Sequence, residues 1–196
     1  MPNDIHNILS ILNIISKKRY SRIVLISTID VYNDSPFGSN EDYNINVGGL
    51  NYGNNRYIFE LLIKELVNTD DMKIFRLPAL FNKYIKKNIL FDLINNNNVS
   101  DINKNSSFQW YNLDNILDDI NYYSNKYPNE TIFNLFTEPL ESIEIIKLFP
   151  SLIDKTNIKE RIEYNYYTKY NNSGYIKSKD DVLKEIKKFI NEISSK

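Results

Sequence analysis

The chain has 196 residues, of which 42% are hydrophobic and 25% charged, with a formal net charge of −1 at pH 7. That length is enough for one domain with a core, or for one domain and a small lobe. The nearly neutral charge excludes a general attraction to nucleic acid or to an acidic membrane surface, and the absence of cysteine excludes disulfide bonds and thiolate metal sites.

The first predicted element is an amphipathic helix. Apolar residues recur at helical spacing between residues 4 and 17, and Asp4 is the predicted N-cap. The apolar positions are Ile5, Ile8, Leu9, Leu12 and Ile15. We expect this helix to cover one face of a sheet.

The next element is a short apolar strand followed by polar side chains. Ile23 to Ile26 form a continuous run rich in β-branched residues, which is typical of a parallel strand buried on both faces. Ser27, Thr28 and Asp30 come directly after it. Because open α/β sheets bind ligands at the carboxyl ends of their strands, these three residues are candidates for a site.

A second helix, predicted from Asn51 to Asn68, carries Tyr52 and Arg56 four residues apart on one face. A free tyrosine is a weak acid with a pKa of about 10. A fixed positive charge nearby stabilises the phenolate and lowers that pKa. The pair is therefore a candidate for acid/base chemistry, with the Thr28 hydroxyl holding a substrate oxygen in line with the tyrosine.

The polar segment between Tyr32 and Tyr52 is too broken by proline and glycine to form a regular element. It contains an acidic pair, Glu41 and Asp42. These carboxylates could contact substrate hydroxyls, but a solvated surface pair is the favoured interpretation.

The remaining pattern predicts that a parallel sheet continues. Lys73 to Leu77 reads as a strand that Pro78 ends, because proline has no amide hydrogen to donate to a ladder. Thr131 to Leu135 is the last predicted strand, and the helix, turn and strand alternation is typical of a parallel sheet. The other predictions are helices at 85–94, 114–123 and 180–193, a helix that ends at Phe149, and a short strand at 99–102.

Four segments share one known pattern. They are Ser27-Thr28-Ile29-Asp30-Val31-Tyr32, Tyr52-x-x-x-Arg56, Arg76 to Asn82, and Leu113 to Ile116. In this order they resemble the extended short-chain dehydrogenase/reductase family, the NAD-dependent sugar-nucleotide epimerases and dehydratases. The family's counterparts are Ser-Ser/Thr-x-x-Val-Tyr, Tyr-x-x-x-Lys, the strand and turn beside the nicotinamide, and Val-Asp-Asp-Val. The resemblance runs from about Pro2 to at least Leu135.

The resemblance implies an α/β fold, an incomplete Rossmann-like parallel sheet with a small C-terminal substrate lobe. It places the Rossmann-derived part at about 1–82 and 112–136, and the smaller lobe at about 83–111 and 137–196. It implies NAD or NADP as cofactor and a nucleotide sugar or similar small molecule as ligand. The residues that it implies for catalysis are Thr28, Tyr52, Arg56 and Asp30. Those that it implies for cofactor binding are Ser27, Pro78, Ala79 and Leu80.

Three departures from the family pattern bear on activity. The sequence has no Gly-x-x-Gly-x-x-Gly turn, so we expect the chain to be N-terminally truncated relative to the family. We therefore expect it to bind dinucleotides weakly or not at all. We also expect an open sheet edge beside Ile23 to Ile26. Arg56 stands where the family has lysine, which keeps the charge but changes its shape. Ile29-Asp30 replaces the Asp-Glu pair of the dehydratases, so epimerase or reductase chemistry would survive better than dehydration.

Two hypotheses follow. In the first, the protein is the second half of a sugar-nucleotide reductase or epimerase, in which Thr28 orients the substrate, Tyr52 is the acid/base and Arg56 tunes it. In the second, it is a non-catalytic remnant that acts as a binding or interaction module. Either could associate with a partner chain, or with a second copy, through the open sheet edge.

The remaining features concern metal binding and cellular location. The single histidine, His6, cannot form a conventional zinc centre alone, so we expect no metal. No apolar run approaches the roughly 18–20 residues that span a bilayer, and the first residues lack the order of a signal peptide. We therefore expect a cytoplasmic protein with no membrane or nucleic-acid partner.

Overall fold

The computed structural model describes residues 2–49, 51–156 and 160–194. These residues form two compact units. The first unit comprises Met1–Leu77, Asp118–Leu135 and Tyr166–Lys169. The second comprises Pro78–Leu117, Phe136–Asn165 and Tyr170–Lys196.

Among its described residues, the first unit contains five strands, two complete helices and most of a third helix. The strands are β1 (Arg19–Tyr20), β2 (Ile23–Thr28), β3 (Asn68–Thr69), β4 (Met72–Leu77) and β8 (Ile132–Asn134). The helices are α1 (Pro2–Ile15), α2 (Tyr52–Leu66) and α4 (Ile116–Lys126).

A three-stranded parallel sheet is the centre of this unit. Its spatial order is β2-β4-β8, with β4 in the middle. The register pairs Leu25 with Ile74, and Ile74 with Ile132. The short strands β1 and β3 also pair in parallel. The predicted parallel strands near Ile23, Lys73 and Thr131 are thus confirmed.

Helices α1 and α2 pack together over one face of the sheet. Their buried residues Ile8, Leu12, Phe59 and Ile63 form a core cluster with partly buried residues of β2. On β4 and β8 an aromatic layer forms, in which the rings of Phe75 and Phe133 stack with centroids 5.0 Å apart. Burying these apolar side chains supplies the main favourable term for folding of the unit.

The strand β2 was predicted to be buried on both faces, and this prediction is wrong. Side chains alternate between the two faces of a strand, and here Ile23 and Leu25 pack against the cluster under α1 and α2. Val24 and Ile26 are 36% and 47% exposed. The helices α1 and α2 cover only the face that carries Ile23 and Leu25. β2 is also the outer strand of the described sheet, so its edge is open there.

The second unit contains two small sheets and an apolar core. Strands β5 (Ala79–Phe81) and β7 (Trp110–Asn112) pair in parallel, whereas β6 (Ser107–Phe108) and β9 (Leu140–Glu141) pair in an antiparallel arrangement. The helices are α3 (Ile89–Asn95), α5 (Ser142–Ile146) and α6 (Lys179–Ser194). The core groups Trp110 with buried residues of α3, α5 and α6.

Several predicted boundaries need correction. The helix predicted from residue 85 begins at Ile89, because Asn88 caps it by accepting a hydrogen bond from the Phe91 amide at 3.0 Å. The strand predicted at 99–102 is a 3₁₀ helix, Val99–Asp101. Asp4 lies within α1 instead of capping it. No helix in the described part of the chain is long and apolar enough to cross a membrane.

Candidate active site

Thr28 and Asp30 interact with each other at the carboxyl end of β2. Thr28 caps the 3₁₀ helix Ile29–Tyr32, and its Oγ1 accepts a hydrogen bond from the Asp30 amide at 3.2 Å. The same hydroxyl donates to Oδ2 of Asp30 at 3.1 Å. Both side chains are half-buried. The carboxylate thus fixes the orientation of the Thr28 hydroxyl.

Tyr52 and Arg56 form the predicted pair on α2. The guanidinium carbon of Arg56 lies 5.0 Å from the centroid of the Tyr52 ring. Tyr52 is 42% exposed, so part of this residue lies at the surface. The helix begins here because the Asn51 side chain caps it, accepting a hydrogen bond from the Asn54 amide at 2.8 Å.

Gly53 brings the start of α2 against the turn after β2. A Cβ atom at this position would lie 1.9 Å from the Asp30 carbonyl oxygen, far inside any allowed contact. The start of α2 therefore approaches the turn after β2 more closely than any residue with a side chain would permit. This contact places the helical turn of Tyr52 and Arg56 against the turn of Asp30, which is itself bonded to Thr28.

Arg56 has a further partner that the sequence did not predict. Its Nη2 donates to Oδ1 of Asp4 in α1 at 2.6 Å. The neighbouring Asn55 donates from Nδ2 to Oδ2 of the same carboxylate at 3.2 Å. The positive charge beside Tyr52 is therefore paired within the protein.

A buried charge network lies beneath the candidate site. Arg76 of β4 and Glu60 of α2 form an ion pair with an Nη2–Oε2 distance of 2.6 Å, and their side chains are only 2% and 0% exposed. Ser27 donates to Glu60 at 2.5 Å. Arg76 also donates from Nη1 to the Tyr32 hydroxyl at 2.5 Å, and Asn134 donates to the same oxygen at 3.0 Å.

Burial dominates the electrostatics of this network. It raises the pKa of Tyr32 to about 12, and the positive charge of Arg76 opposes this shift. Burial alone would lower the pKa of Arg76, but the Glu60 carboxylate outweighs it and the pKa is raised. The Tyr32 hydroxyl therefore remains a protonated donor, to the Asn40 carbonyl at 2.8 Å, throughout the neutral pH range.

Glu41 and Asp42, the acidic pair of the polar segment, have different surroundings. Asp42 is exposed and pairs with Lys169 at 2.8 Å, as a solvated residue would. Glu41 is not solvated: it accepts hydrogen bonds from the Asn134 amide at 2.7 Å, and from Thr168 and the Lys169 amide at 2.8 Å each. Burial raises the pKa of Glu41. Its carboxylate anchors the polar segment to the first unit.

The residues predicted for cofactor binding make their own hydrogen bonds. Ser27 is buried and donates to Glu60. Pro78, Ala79 and Leu80 belong to the second unit, where the Ala79 amide donates to the Gln109 carbonyl at 3.1 Å. Leu80 accepts at its carbonyl from the Asn88 side chain at 2.8 Å. Their role toward a cofactor stays a prediction.

Three contributions to the site were not predicted from the sequence: the pairing of Asp4 with Arg56, the close approach at Gly53, and the buried ion pair of Glu60 with Arg76. Glu60 had a signal, because a carboxylate at helical spacing from apolar neighbours lies on their face. Its partner, however, is 16 positions away. Among the described residues no group of three or more histidine, cysteine or acidic side chains could hold a metal ion.

Several solved structures with the same fold are sugar-nucleotide enzymes. MoeE5, in complex with UDP-glucose and NAD, matches with 12% identity and a TM-score of 0.73, over 96% of this chain and 70% of that one. A UDP-galactose 4-epimerase matches with 10% identity and a TM-score of 0.74, over 98% and 69%. The dTDP-4-dehydrorhamnose reductase of Bacillus anthracis, in complex with NADP, matches with 18% identity and a TM-score of 0.58, over 87% and 66%.

These similarities show a shared fold. The chain is a partial Rossmann-like α/β protein, as the resemblance implied, and its fold neighbours are NAD-dependent epimerases and dehydratases, together with related reductases. No protein-family model and no curated protein matches the sequence.

Replacing Gly53 with alanine is expected to destabilise the first unit by about 1–3 kcal/mol, because the new Cβ overlaps the Asp30 carbonyl. The sign is diagnostic, since glycine-to-alanine changes within helices normally stabilise. Gly48→Ala is the matched control, because a Cβ at Gly48 meets no atom within 4 Å. Urea unfolding of both variants measures the difference, and equal stabilities would disprove the close contact.

Replacing Glu60 with glutamine is expected to lower the free energy of unfolding by about 3–5 kcal/mol, because it leaves the buried Arg76 charge without its counter-ion. The isosteric control is Asp70→Asn, which breaks an exposed ion pair with Arg19. The side chains of Arg19 and Asp70 are 68% and 60% exposed. The control should change stability by less than about 1 kcal/mol. Similar losses in both variants would contradict a dominant role for the buried pair.

Proposed function

We propose that this chain derives from an NAD(P)-dependent sugar-nucleotide epimerase or reductase and carries the acid/base part of such a site. The observation that supports this most strongly is the contact between Gly53 and the Asp30 carbonyl, which holds Tyr52 and Arg56 against the turn after β2. The same groups in the same order made the sequence resemble that family, and the shared fold agrees with it.

In this proposal each side chain has a defined task. Tyr52 donates a proton to a substrate oxygen, or accepts one from it, and its partial exposure gives access. Arg56, stacked on the ring, holds a positive charge beside Tyr52. Thr28 orients the substrate oxygen, and Asp30 holds the Thr28 hydroxyl in place. With a single carboxylate at Ile29-Asp30, elimination of water is disfavoured and epimerase or reductase chemistry is preferred.

The described residues do not fit the phosphates of a dinucleotide. Phosphate binding needs a glycine turn whose free amides meet the ligand at a helix start, and the sequence has no Gly-x-x-Gly-x-x-Gly. At the start of α2 the Asn54 amide is already bound by Asn51. NAD or NADP therefore enters the proposal only as the cofactor of the ancestral enzyme, with weak binding by this chain.

The alternative function is a non-catalytic binding or interaction module. One observation favours it: the polar groups of the candidate site bond to each other, Arg56 to Asp4 and Thr28 to Asp30. The open apolar edge of β2, with Val24 and Ile26 exposed, would suit a partner chain or a second copy. In that case Tyr52 would have no part in ligand binding.

Calorimetric titration of the 196-residue chain with UDP-glucose, and separately with NAD(H) and NADP(H), tests the proposal. We expect each dinucleotide to bind with a dissociation constant weaker than about 1 mM, because a few contacts must overcome roughly 4–15 kcal/mol of association entropy. We expect UDP-glucose to bind, and Tyr52→Phe to weaken binding by about 3- to 10-fold through loss of one hydrogen bond.

Tyr84→Phe is the control, because Tyr84 is 70% exposed and lies in the second unit. Equal affinities for UDP-glucose in the two variants would favour the interaction module. Binding of a dinucleotide at micromolar concentration would show that another part of the sequence replaces the glycine turn, and would favour an active enzyme.

A further inference from the structure

The outer edge of β2 carries backbone groups that β4 does not use. The Ile23 amide donates to the Asp71 carbonyl at 2.8 Å, on the side of β4. Alternate residues of a strand bond to the same neighbouring strand, so the amide and carbonyl groups of Val24 and Ile26 point to the opposite side. No strand in the described part of the chain pairs with β2 there. Such a row of unpaired groups is a template for another strand.

The opposite edge of the same sheet is closed by a side chain. On β8 the Leu135 amide donates to the Arg76 carbonyl of β4 at 3.0 Å, so the Asn134 amide points away from β4. Glu41 accepts a hydrogen bond from that amide at 2.7 Å. The three-residue strand β8 is therefore blocked at its outer edge.

The strand β2 has none of the features that block an edge. Natural sheets protect their edge strands with prolines, charged side chains or a very short strand. The sequence of β2 is Ile-Val-Leu-Ile-Ser-Thr, six residues without a proline or a charge. The exposed side chains of Val24 and Ile26 lie on its uncovered face. The edge of β2 is thus an apolar surface that is suited to strand pairing.

The charges at the two ends of this edge have opposite signs. Asp30 and Asp34 follow β2. Four basic residues stand at or before its start, and two of them form ion pairs with aspartates, so a net positive charge remains there. These residues are Lys17, Lys18, Arg19 and Arg22. An antiparallel copy of the same strand would place the basic start of each edge beside the acidic end of the other.

We propose that β2 pairs in an antiparallel arrangement with β2 of a second copy of this chain, across a two-fold axis at Leu25. Each Val24 then lies opposite Ile26 of the other copy. These opposite residues exchange both of their backbone hydrogen bonds, and their exposed side chains come into cross-strand contact. Both copies use the same surface, so the assembly closes as a dimer. This interface is independent of any catalytic task of Tyr52.

Sedimentation equilibrium of the full chain over a concentration series tests whether the dimer forms. We expect a monomer–dimer equilibrium, from which the dissociation constant of the dimer is obtained. A monomeric mass up to the limit of solubility would overturn the proposal. A series of larger assemblies would overturn it as well, because a two-fold interface closes after two copies.

Charge substitutions at the two exposed positions test the register. Val24→Lys combined with Ile26→Lys places like charges opposite each other, and we expect it to raise the dissociation constant about 10-fold or more. Val24→Lys combined with Ile26→Glu places opposite charges together in the antiparallel register, so this variant should dissociate less. A parallel pairing in register would instead face lysine with lysine and glutamate with glutamate. Equal dissociation constants of the two double variants would therefore overturn the antiparallel arrangement.

Amide hydrogen exchange of the unsubstituted chain, followed by NMR, decides the question even if a variant does not fold. We expect the amides of Val24 and Ile26 to be protected at high concentration and to exchange rapidly on dilution. The Ile23 amide, bonded to Asp71, should stay protected in both conditions. Equal exchange of the Val24 and Ile26 amides at both concentrations would overturn the proposal.

Ile14→Lys is the matched control, because Ile14 is 66% exposed and lies on α1, outside β2. It should leave the dissociation constant unchanged. A dimer that is weakened by Ile14→Lys but not by the two lysines on β2 would use another surface, and the proposal would be wrong. Failure of UDP-glucose to bind would affect only the proposed function.

Discussion

The buried ion pair between Glu60 and Arg76 connects the elements that carry the candidate site. Glu60 lies two helical turns after Tyr52 on α2, and Arg76 lies on the central strand β4. Removing two charges from water is expensive, and the network persists because its polar atoms are bonded to one another. Ser27 of β2 and Tyr32 complete it, so that one set of charges fixes both strands relative to the helix.

A second constraint, the close contact at Gly53, acts at the start of α2. The missing side chain of Gly53 allows the start of α2 to touch the Asp30 carbonyl, while Glu60 holds the next turns onto β2 and β4. Arg56 lies between these two fixed points, and Tyr52 directly precedes the first of them. The backbone positions of both residues are thus set by the Gly53 contact and the buried ion pair, while Asp4 binds the Arg56 side chain.

Two of the polar side chains predicted for catalysis are hydrogen-bonded to neighbouring carboxylates. Thr28 bonds to Asp30, and Arg56 bonds to Asp4. A substrate oxygen would have to compete with the first contact to be oriented by Thr28, whereas Tyr52 remains partly exposed. The arrangement therefore presents a partly exposed tyrosine beside a stacked arginine, in a fold that sugar-nucleotide enzymes share. The sequence has no Gly-x-x-Gly-x-x-Gly turn of the kind that binds dinucleotide phosphates.

The sequence by itself determined the parallel strands at Ile23, Lys73 and Thr131 and the pairing of Tyr52 with Arg56, because both depend on local periodicity. It also predicted Thr28 and Asp30 at the end of a strand. Only the tertiary structure decided that Val24 and Ile26 are exposed, that Glu41 is an internal anchor and that Asp4 binds Arg56. Each of these depends on distant parts of the chain. The exposure of Val24 and Ile26 depends on which elements cover their face of β2, Glu41 bonds to the Asn134 amide 93 positions away, and Asp4 lies 52 positions from Arg56. Local patterns carry no information about such partners, because burial and charge pairing are set by which segments meet in the folded protein.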